Sequence, residues 1–330
     1  MKILFLDSYY ENVIEHLMGL PGSPDPDAEP WTKTRWLNEQ CHGTADYWER
    51  AVKAMGHEAW TVVLNAPWCK DSWHVLQDRP DVVVFQNVAD RKGTDFVGSK
   101  KVAFCSYAAS DEDLQGWDAV FTSFPHHVNR IQSLGSPCHY LQLAFDPVAV
   151  ERTKAAGAFP RDLWLTFVGG LGYEHIWKKR TFDVGHASLA FKEDFKWWGY
   201  GPASKPSLRD TYQGRAWGKK YYDVLLRSKI TLNGHGEIAG EYANNMRLYE
   251  ATGCGACLVT NAAMNMPRIF RPMDECVVYR DHADLEYRLR ELLMDYGYRK
   301  EIADNGKKRC LAEHTYSHRA VEFMAILEKL

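Results

Sequence analysis

Short runs that stay apolar from end to end recur along this chain, and they limit its fold more than any other feature of the sequence. The clearest is Asp81-Val82-Val83-Val84-Phe85-Gln86, apolar through its middle, and 3–6, 101–105, 118–122 and 139–143 share much of its character. A strand with one wet face alternates polar and apolar residues, whereas a strand covered on both faces need not. These runs therefore predict a parallel sheet flanked by helices. Helix-length pieces lie between them: 45–55, ended by Gly56 before a strand at 59–64, then 73–77 and 127–134. The rhythm breaks around 146–162, where Pro147, an Ala/Gly-rich stretch and Pro160 interrupt the periodicity without supplying a strand. It restarts with strands at 163–168, 195–200, 230–232, 256–260 and 276–279. Helices are expected at 177–189, 221–227 and 242–251, and from near Asp284, Arg299 and Ser317. At roughly 150 residues per domain, 330 residues have room for two cores. We expect an α/β protein with domains at 1–146 and 163–316, a linker at 147–162 and a closing segment at 317–330. Open parallel sheets bind ligands beyond the carboxyl ends of their strands, so two such domains facing each other would share one cleft.

Charge and apolar content exclude several classes. Lys and Arg number 40 against 43 Asp and Glu, a net charge of −3, so no overall field draws the chain to nucleic acid or an anionic membrane. The opening run Ile3 to Leu6 is cut off by Asp7, too short for a signal peptide, and no stretch reaches the roughly 18 apolar residues of a membrane span. A soluble, cytoplasmic protein is expected. Eight cysteines are scattered, several inside apolar runs, which suits reduced, packed thiols better than a disulfide framework. The loop 21–30 holds four prolines, which bar regular structure there.

Two segments carry the densest chemistry. In Phe167-Val168-Gly169-Gly170-Leu171-Gly172 a strand empties into glycines before a helix bearing Lys178, Lys179 and Arg180. Such glycines let backbone N–H groups approach a phosphate at a helix N-terminus. The plainer reading is a tight turn before a solvated basic helix face. A dinucleotide G-x-G-x-x-G fails, because counting from Gly170 its last position is His175, and counting from Gly253 it is Leu258. The second segment runs from Lys229 through Asn233, His235, Glu237, Glu241, Asn244, Asn245, Arg247 and Glu250 to Gly255. On a helix, Asn244, Arg247 and Glu250 are three residues apart and share a face. Arg grips a diphosphate and Glu accepts from both ribose hydroxyls, although an Asn-capped helix with an internal Arg–Glu pair would look the same.

Other constellations are weaker. Asp25-Pro26-Asp27 and Asp111-Glu112-Asp113 have the D-x-D spacing of a metal site but lack a preceding buried strand. Cys254 and Cys257 form a single C-x-x-C with no second ligand pair. His126-His127 follows a strand end, and Trp197-Trp198 lies in a strand, where aromatics are usually core. Asp7, directly after the first strand, and Asp46 are carboxylates of the kind that serve as general bases, Asp46 being equally a helix N-cap.

The segments 221–235 and 242–261 resemble the donor domain of group-1-type glycosyltransferases with the GT-B fold, and within them the spore-maturation (CgeB-like) branch. Leu141 to Pro147, Phe167 to Gly170, His314 to Arg319 and the pieces 42–48 and 55–59 are similar too, so the resemblance covers most of the chain. It implies two Rossmann-like α/β/α domains facing across a cleft, with a closing helix at 317–330 that crosses back to the first. It also implies a nucleoside-diphosphate sugar held mainly by the second domain and a hydroxyl acceptor held mainly by the first. Glu250 would bind the ribose, while Arg247, the glycine loop and Lys178 or Arg180 would face the diphosphate. The expected donor site is Gly169, Gly170, Lys178, Arg180, Asn233, His235, Asn244, Asn245, Arg247 and Glu250, with Asp7, Asp46 and His235 as catalytic candidates. Neither a metal nor a tightly bound cofactor is expected. One departure stands out: relatives often carry two glutamates eight apart, but eight before Glu250 is Tyr242, with Glu241 one residue off. The retaining mechanism associated with that pair therefore does not transfer directly. A nucleotide-binding sensor and a nucleotide-sugar epimerase are the alternatives.

Overall fold

The computed structural model describes residues 1–69, 79–91, 96–154, 160–172 and 177–330. The helix expected at 73–77 and the position of His175 lie outside the described residues. The chain divides into two compact units, Met1–Gln142 with Tyr316–Leu330, and Leu143–Thr315.

Among the described residues, the first unit has a six-stranded sheet in the order β2-β1-β3-β4-β5-β6. Its strands are β1 Lys2–Asp7, β2 Glu58–Val63, β3 Val82–Phe85, β4 Lys100–Phe104, β5 Ala119–Thr122 and β6 Cys138–Tyr140. Every pairing is parallel. All four residues of β3 and of β5 are buried, as strands covered on both faces must be. The second unit has a five-stranded parallel sheet, β11-β10-β9-β7-β8, built from β7 Leu163–Val168, β8 Phe195–Trp198, β9 Ser228–Asn233, β10 Cys257–Asn261 and β11 Val277–Tyr279. Trp197 is fully buried in its core and donates its indole N–H to the Leu208 carbonyl, 2.8 Å away. It is a packing residue.

Each sheet thus has its first strand between its second and third. The chain reverses direction across the sheet beside β1 and β3 in one unit, and beside β7 and β9 in the other. Open parallel sheets place ligands at such switch points, outside the carboxyl ends of the strands.

Two helices, Glu11–Met18 and Pro30–Glu39, intervene between β1 and the helix Tyr47–Ala54 and were not foreseen from the sequence. The prolines of 21–30 bar a helix through that loop, but Pro30 itself occupies the first turn of the next one, where its missing N–H costs nothing. Within 147–162, Val148–Lys154 forms a helix whose first turn is held by Asp146 Oδ1, which accepts from the Val148 N–H at 2.9 Å. The final helix, Tyr316–Leu327, belongs to the first unit. There Phe323 meets Phe121 at 4.9 Å, Trp48 at 5.1 Å and Phe104 at 5.6 Å between ring centroids. All eight cysteines are buried, and none is in a disulfide. No helix among the described residues is long and apolar enough to cross a membrane.

Candidate functional site

The glycines after β7 act through their size. Gly169 extends the strand: its N–H donates to the Trp198 carbonyl at 2.9 Å, and Leu171 N–H donates to the Tyr200 carbonyl at 2.8 Å. Gly172 N–H donates to Thr181 Oγ1, also at 2.8 Å. Those amides are already engaged, so the loop is no bare nest of free donors. Instead, a Cβ on Gly169 would overlap the Arg247 guanidinium, and one on Gly170 would lie 2.6 Å from the Tyr200 ring. Gly169 also has φ of 154°, a conformation that suits glycine.

Arg247 opens the helix Arg247–Gly253 and reaches across the ends of β7 and β9. Its Nη1 donates to Asn233 Oδ1 at 3.0 Å, and its Cζ sits 4.6 Å from the centre of the Phe167 ring. Asn233 is fully buried at the end of β9, where its Nδ2 donates to Thr260 Oγ1 and its Oδ1 also accepts from Asn245 Nδ2 at 2.8 Å. Asn244 does not join this face, because 243–245 are not helical and the helix starts only at Arg247. The Asn265 side chain replaces the helical bonds there, accepting from Ala243 N–H at 2.6 Å and donating to the Ala243 carbonyl at 3.1 Å.

Arg180, in the first turn of the helix Lys178–Ala190, lies against the Trp177 ring at 4.9 Å. Arg180 and Arg247 are each only 8% exposed, and the Nε of each has no partner among the described residues. Neither has a carboxylate in salt-bridge range among the described residues. Burial, followed by the positive charge of Arg247, pulls the Arg180 guanidinium down to about 9. Lys178 is exposed at the same helix start, and Lys179 N–H donates to Glu237 Oε1 at 2.7 Å. His235 follows β9; its N–H donates to Asn261 Oδ1 at 3.0 Å, and its Nδ1 has no partner among the described residues. Burial, reinforced by Lys179, Arg180 and Arg247, lowers its imidazole to about 3, so it is neutral.

Glu250, one turn after Arg247, is 6% exposed and accepts two phenol protons: Tyr221 OH on Oε2 at 2.6 Å and Tyr222 OH on Oε1 at 3.0 Å. Burial raises its pKa, against the opposing pull of both tyrosines and Arg247. The second unit thus gathers Gly169, Arg180, Asn233, His235, Asn245, Arg247 and Glu250 at the switch point of its sheet. Sequence reasoning missed Trp177, Tyr200, Tyr221 and Tyr222 as site residues, and it named Phe167 and Glu237 only as members of the two segments, without a role in the site. The aromatic members had no signal to separate them from core, since their periodicity is that of packing residues.

Asp7 and Asp46 belong to the first unit. Asp7 ends β1, accepting from Ser8 N–H on Oδ1 at 2.8 Å and from Thr44 Oγ1 on Oδ2 at 3.0 Å. Ser8 Oγ donates in turn to Asp90 Oδ2 at 2.7 Å. Burial, with Asp90 adding to it, raises Asp7 to about 6, against the lowering hydrogen bonds of Thr44 and Ser8. The segment that presents Thr44 is wound left-handed at Cys41, Gly43 and Ala45, with φ of 61°, 59° and 42°. Asp46 stands at the N-cap position of Tyr47–Ala54 without a side-chain capping bond.

The weaker candidates have local roles. Asp25 Oδ1 accepts from Asp27 N–H within a turn, and Asp111 pairs with Arg130. Cys254 and Cys257 are buried, and burial raises both thiols. His126 and His127 meet edge to face, with ring centroids 4.5 Å apart. No group of three or more potential metal ligands occurs among the described residues.

Residues 177–325, which span this site from Trp177 onward, match the model of a family described as glycosyl transferase-like. No curated protein matches the chain in sequence. Among solved structures, it is similar to a sucrose-phosphate synthase from Thermosynechococcus elongatus, with a TM-score of 0.61, 12% identity, and coverage of 100% of this chain and 98% of that one. It is also similar to Anabaena HepE in complex with UDP-glucose, with a TM-score of 0.60, 10% identity and 100% coverage of both chains. WaaG, a glycosyltransferase of lipopolysaccharide biosynthesis, aligns at a TM-score of 0.55 and 11% identity over 98% of both chains. The structural likeness gives the fold, which is GT-B. Within that fold, residues 177–325 are the part that matches the glycosyl transferase-like family.

Proposed function

We propose that the crevice at the carboxyl ends of β7 and β9 holds the diphosphate of a nucleoside-diphosphate sugar, with Arg247 and Arg180 as the cations that receive it. One observation carries this reading: two neighbouring guanidinium groups, each 8% exposed, have no carboxylate partner among the described residues. Burying like charges side by side is unfavourable unless an anion completes the site. When the glycosidic bond breaks, the leaving diphosphate gains negative charge, so these cations stabilise the transition state more than the ground state. Lys178 adds charge from the helix start. Gly169 and Gly170 contribute by letting Arg247 and Tyr200 approach. Asn233 and Asn245 hold Arg247 in place, and Asn244, although off that helix face, is kept as a candidate donor contact.

His235, being neutral, serves as a hydrogen-bonding contact to the sugar or phosphate. Glu250 takes the ribose hydroxyls. In the first unit we assign Asp7 to take the proton of the acceptor hydroxyl, with Asp46 as a second carboxylate of the acceptor side. The acceptor oxygen then bonds to the anomeric carbon, and the nucleoside diphosphate leaves. This reading needs neither a metal nor a tightly bound cofactor. The residues of 221–261 favour the spore-maturation branch, and eight cysteines outside any disulfide suit a reducing compartment such as the cytoplasm.

The test is a thermal-shift and mass-spectrometric screen with UDP-, GDP- and dTDP-sugars on the wild type, Arg247→Met and His235→Ala. The wild type should be stabilised by one donor and release its diphosphate. Arg247→Met should keep or raise the ligand-free Tm, because a buried charge is gone, while donor affinity falls about tenfold or more. A wild-type response retained in full by Arg247→Met would overturn the diphosphate assignment. Unchanged turnover and affinity in His235→Ala would remove that contact.

A further inference from the structure

We propose that Tyr221 and Tyr222 are positioning residues for the donor's ribose, acting as a pincer that fixes the Glu250 carboxylate and leaves one accepting site free on each of its oxygens. The inference rests on the reading of Glu250 as the ribose ligand.

The two phenols come from successive residues in the first turn of the helix Lys219–Arg227, whose start is set by Gly218 at φ of 58°. Successive helical side chains diverge by roughly 100°, so two neighbours reach one carboxylate only by straddling it. Their rings stand at 90° to each other with centroids 5.3 Å apart, and each hydroxyl takes a different oxygen. A carboxylate has about four lone-pair sites, so two donors leave about two, divided between the oxygens. A ribose offers two vicinal hydroxyls, which matches what remains.

The phenols have a second effect. Glu250 is buried, which favours its protonated form, and hydrogen bonds from Tyr221 and Tyr222 oppose that. A protonated Glu250 would lose accepting capacity toward the ribose. Each tyrosine therefore holds both the orientation and the charge of Glu250, without touching the sugar itself.

The experiment titrates the full chain, as wild type, Tyr221→Phe and Tyr222→Phe, with UDP, GDP and ADP and with their 2′-deoxy counterparts. For the base that binds tightest, the wild type should prefer the ribonucleotide about tenfold, the scale of a hydrogen bond to a charged group. In each variant that preference should fall to about threefold or less, with deoxynucleotide affinity within about twofold of wild type. The acid limb of ribonucleotide affinity should also move to higher pH. A wild-type ratio preserved in both variants overturns the pincer while leaving the donor site intact. An equal loss of both nucleotide forms with a lowered Tm marks a merely structural role and overturns it too. If the wild type itself fails to discriminate, the ribose reading of Glu250 fails and the tyrosines' role goes with it.

Discussion

Asp7 is costly to the folded chain where it stands, which separates its stability effect from its chemical one. Its folded pKa of about 6 lies above the ordinary 3.8, mainly through burial. The folded state therefore holds the proton more tightly than the unfolded state. A raised acid of this kind favours folding at low pH, and that advantage is lost as pH rises from about 4 to about 6. Above that window the burial penalty is fully present. Asp7→Asn should accordingly raise Tm at pH 7, and the gain should vanish near pH 4, as melting curves at the two pH values would show. If Asp7 takes the acceptor's proton, kcat/KM of the wild type should fall as pH drops through about 6, and that limb should disappear in Asp7→Asn along with most of the activity. A gain in Tm with activity untouched would leave Asp7 as a strained carboxylate and nothing more. The position of Asp7 after an apolar run was legible in the sequence. Its perturbation was not, because it comes mainly from burial with Asp90 adding to it, and the opposing hydrogen bond from Thr44 depends on the left-handed turn at Cys41 to Ala45.

At the scale of elements, the start of the helix Arg247–Gly253 decides which side chains meet. Local pattern allows a helix from Tyr242, since nothing between there and Ala251 forbids one. The Asn265 amide captures the backbone of Ala243 from 22 residues away, a long-range bond that no local periodicity reports. Asn244 is thereby left off the helix, and Asn245 turns to Asn233 instead. A second element-scale contact is the carboxylate of Glu237 at the start of the helix Lys178–Ala190. It accepts from Lys179 N–H at 2.7 Å and adds negative charge near Arg180. A helix N-terminus attracts anions, so Glu237 competes there with an incoming phosphate. Glu237→Gln should keep the backbone hydrogen bond through its amide oxygen while removing the charge. UDP affinity, read by titration at low salt, should then rise about threefold, the scale of a partial helix-end charge. Weaker binding would show that Glu237 supports the donor instead of opposing it.

For the whole molecule, the apolar runs were enough to read two parallel sheets, because a strand buried on both faces leaves that mark in sequence wherever it occurs. The helices Glu11–Met18 and Pro30–Glu39 escaped because the proline-rich stretch between them masks their periodicity. Chain order has a consequence at this scale: the first unit's core is closed by the last fifteen residues, Tyr316–Leu330. Phe323 is fully buried among Phe5, Trp48, Phe104 and Phe121, and Arg319, 4% exposed, donates to Gln142 Oε1 at 3.0 Å. That unit cannot complete its core until the whole chain is available. Truncating a buried phenylalanine removes about 3–5 kcal/mol, so Phe323→Ala should loosen the first unit by a large share of a typical domain's stability. Arg247, Arg180, Asn233 and Glu250 all belong to the other unit. Hydrogen exchange on Phe323→Ala should therefore show faster exchange in β1, β4 and β5 with little change in β7 and β9, while the stabilisation of the second unit by UDP persists. Loss of UDP binding together with first-unit protection would mean that the donor site depends on the first unit's core, and that the units do not hold their functions separately.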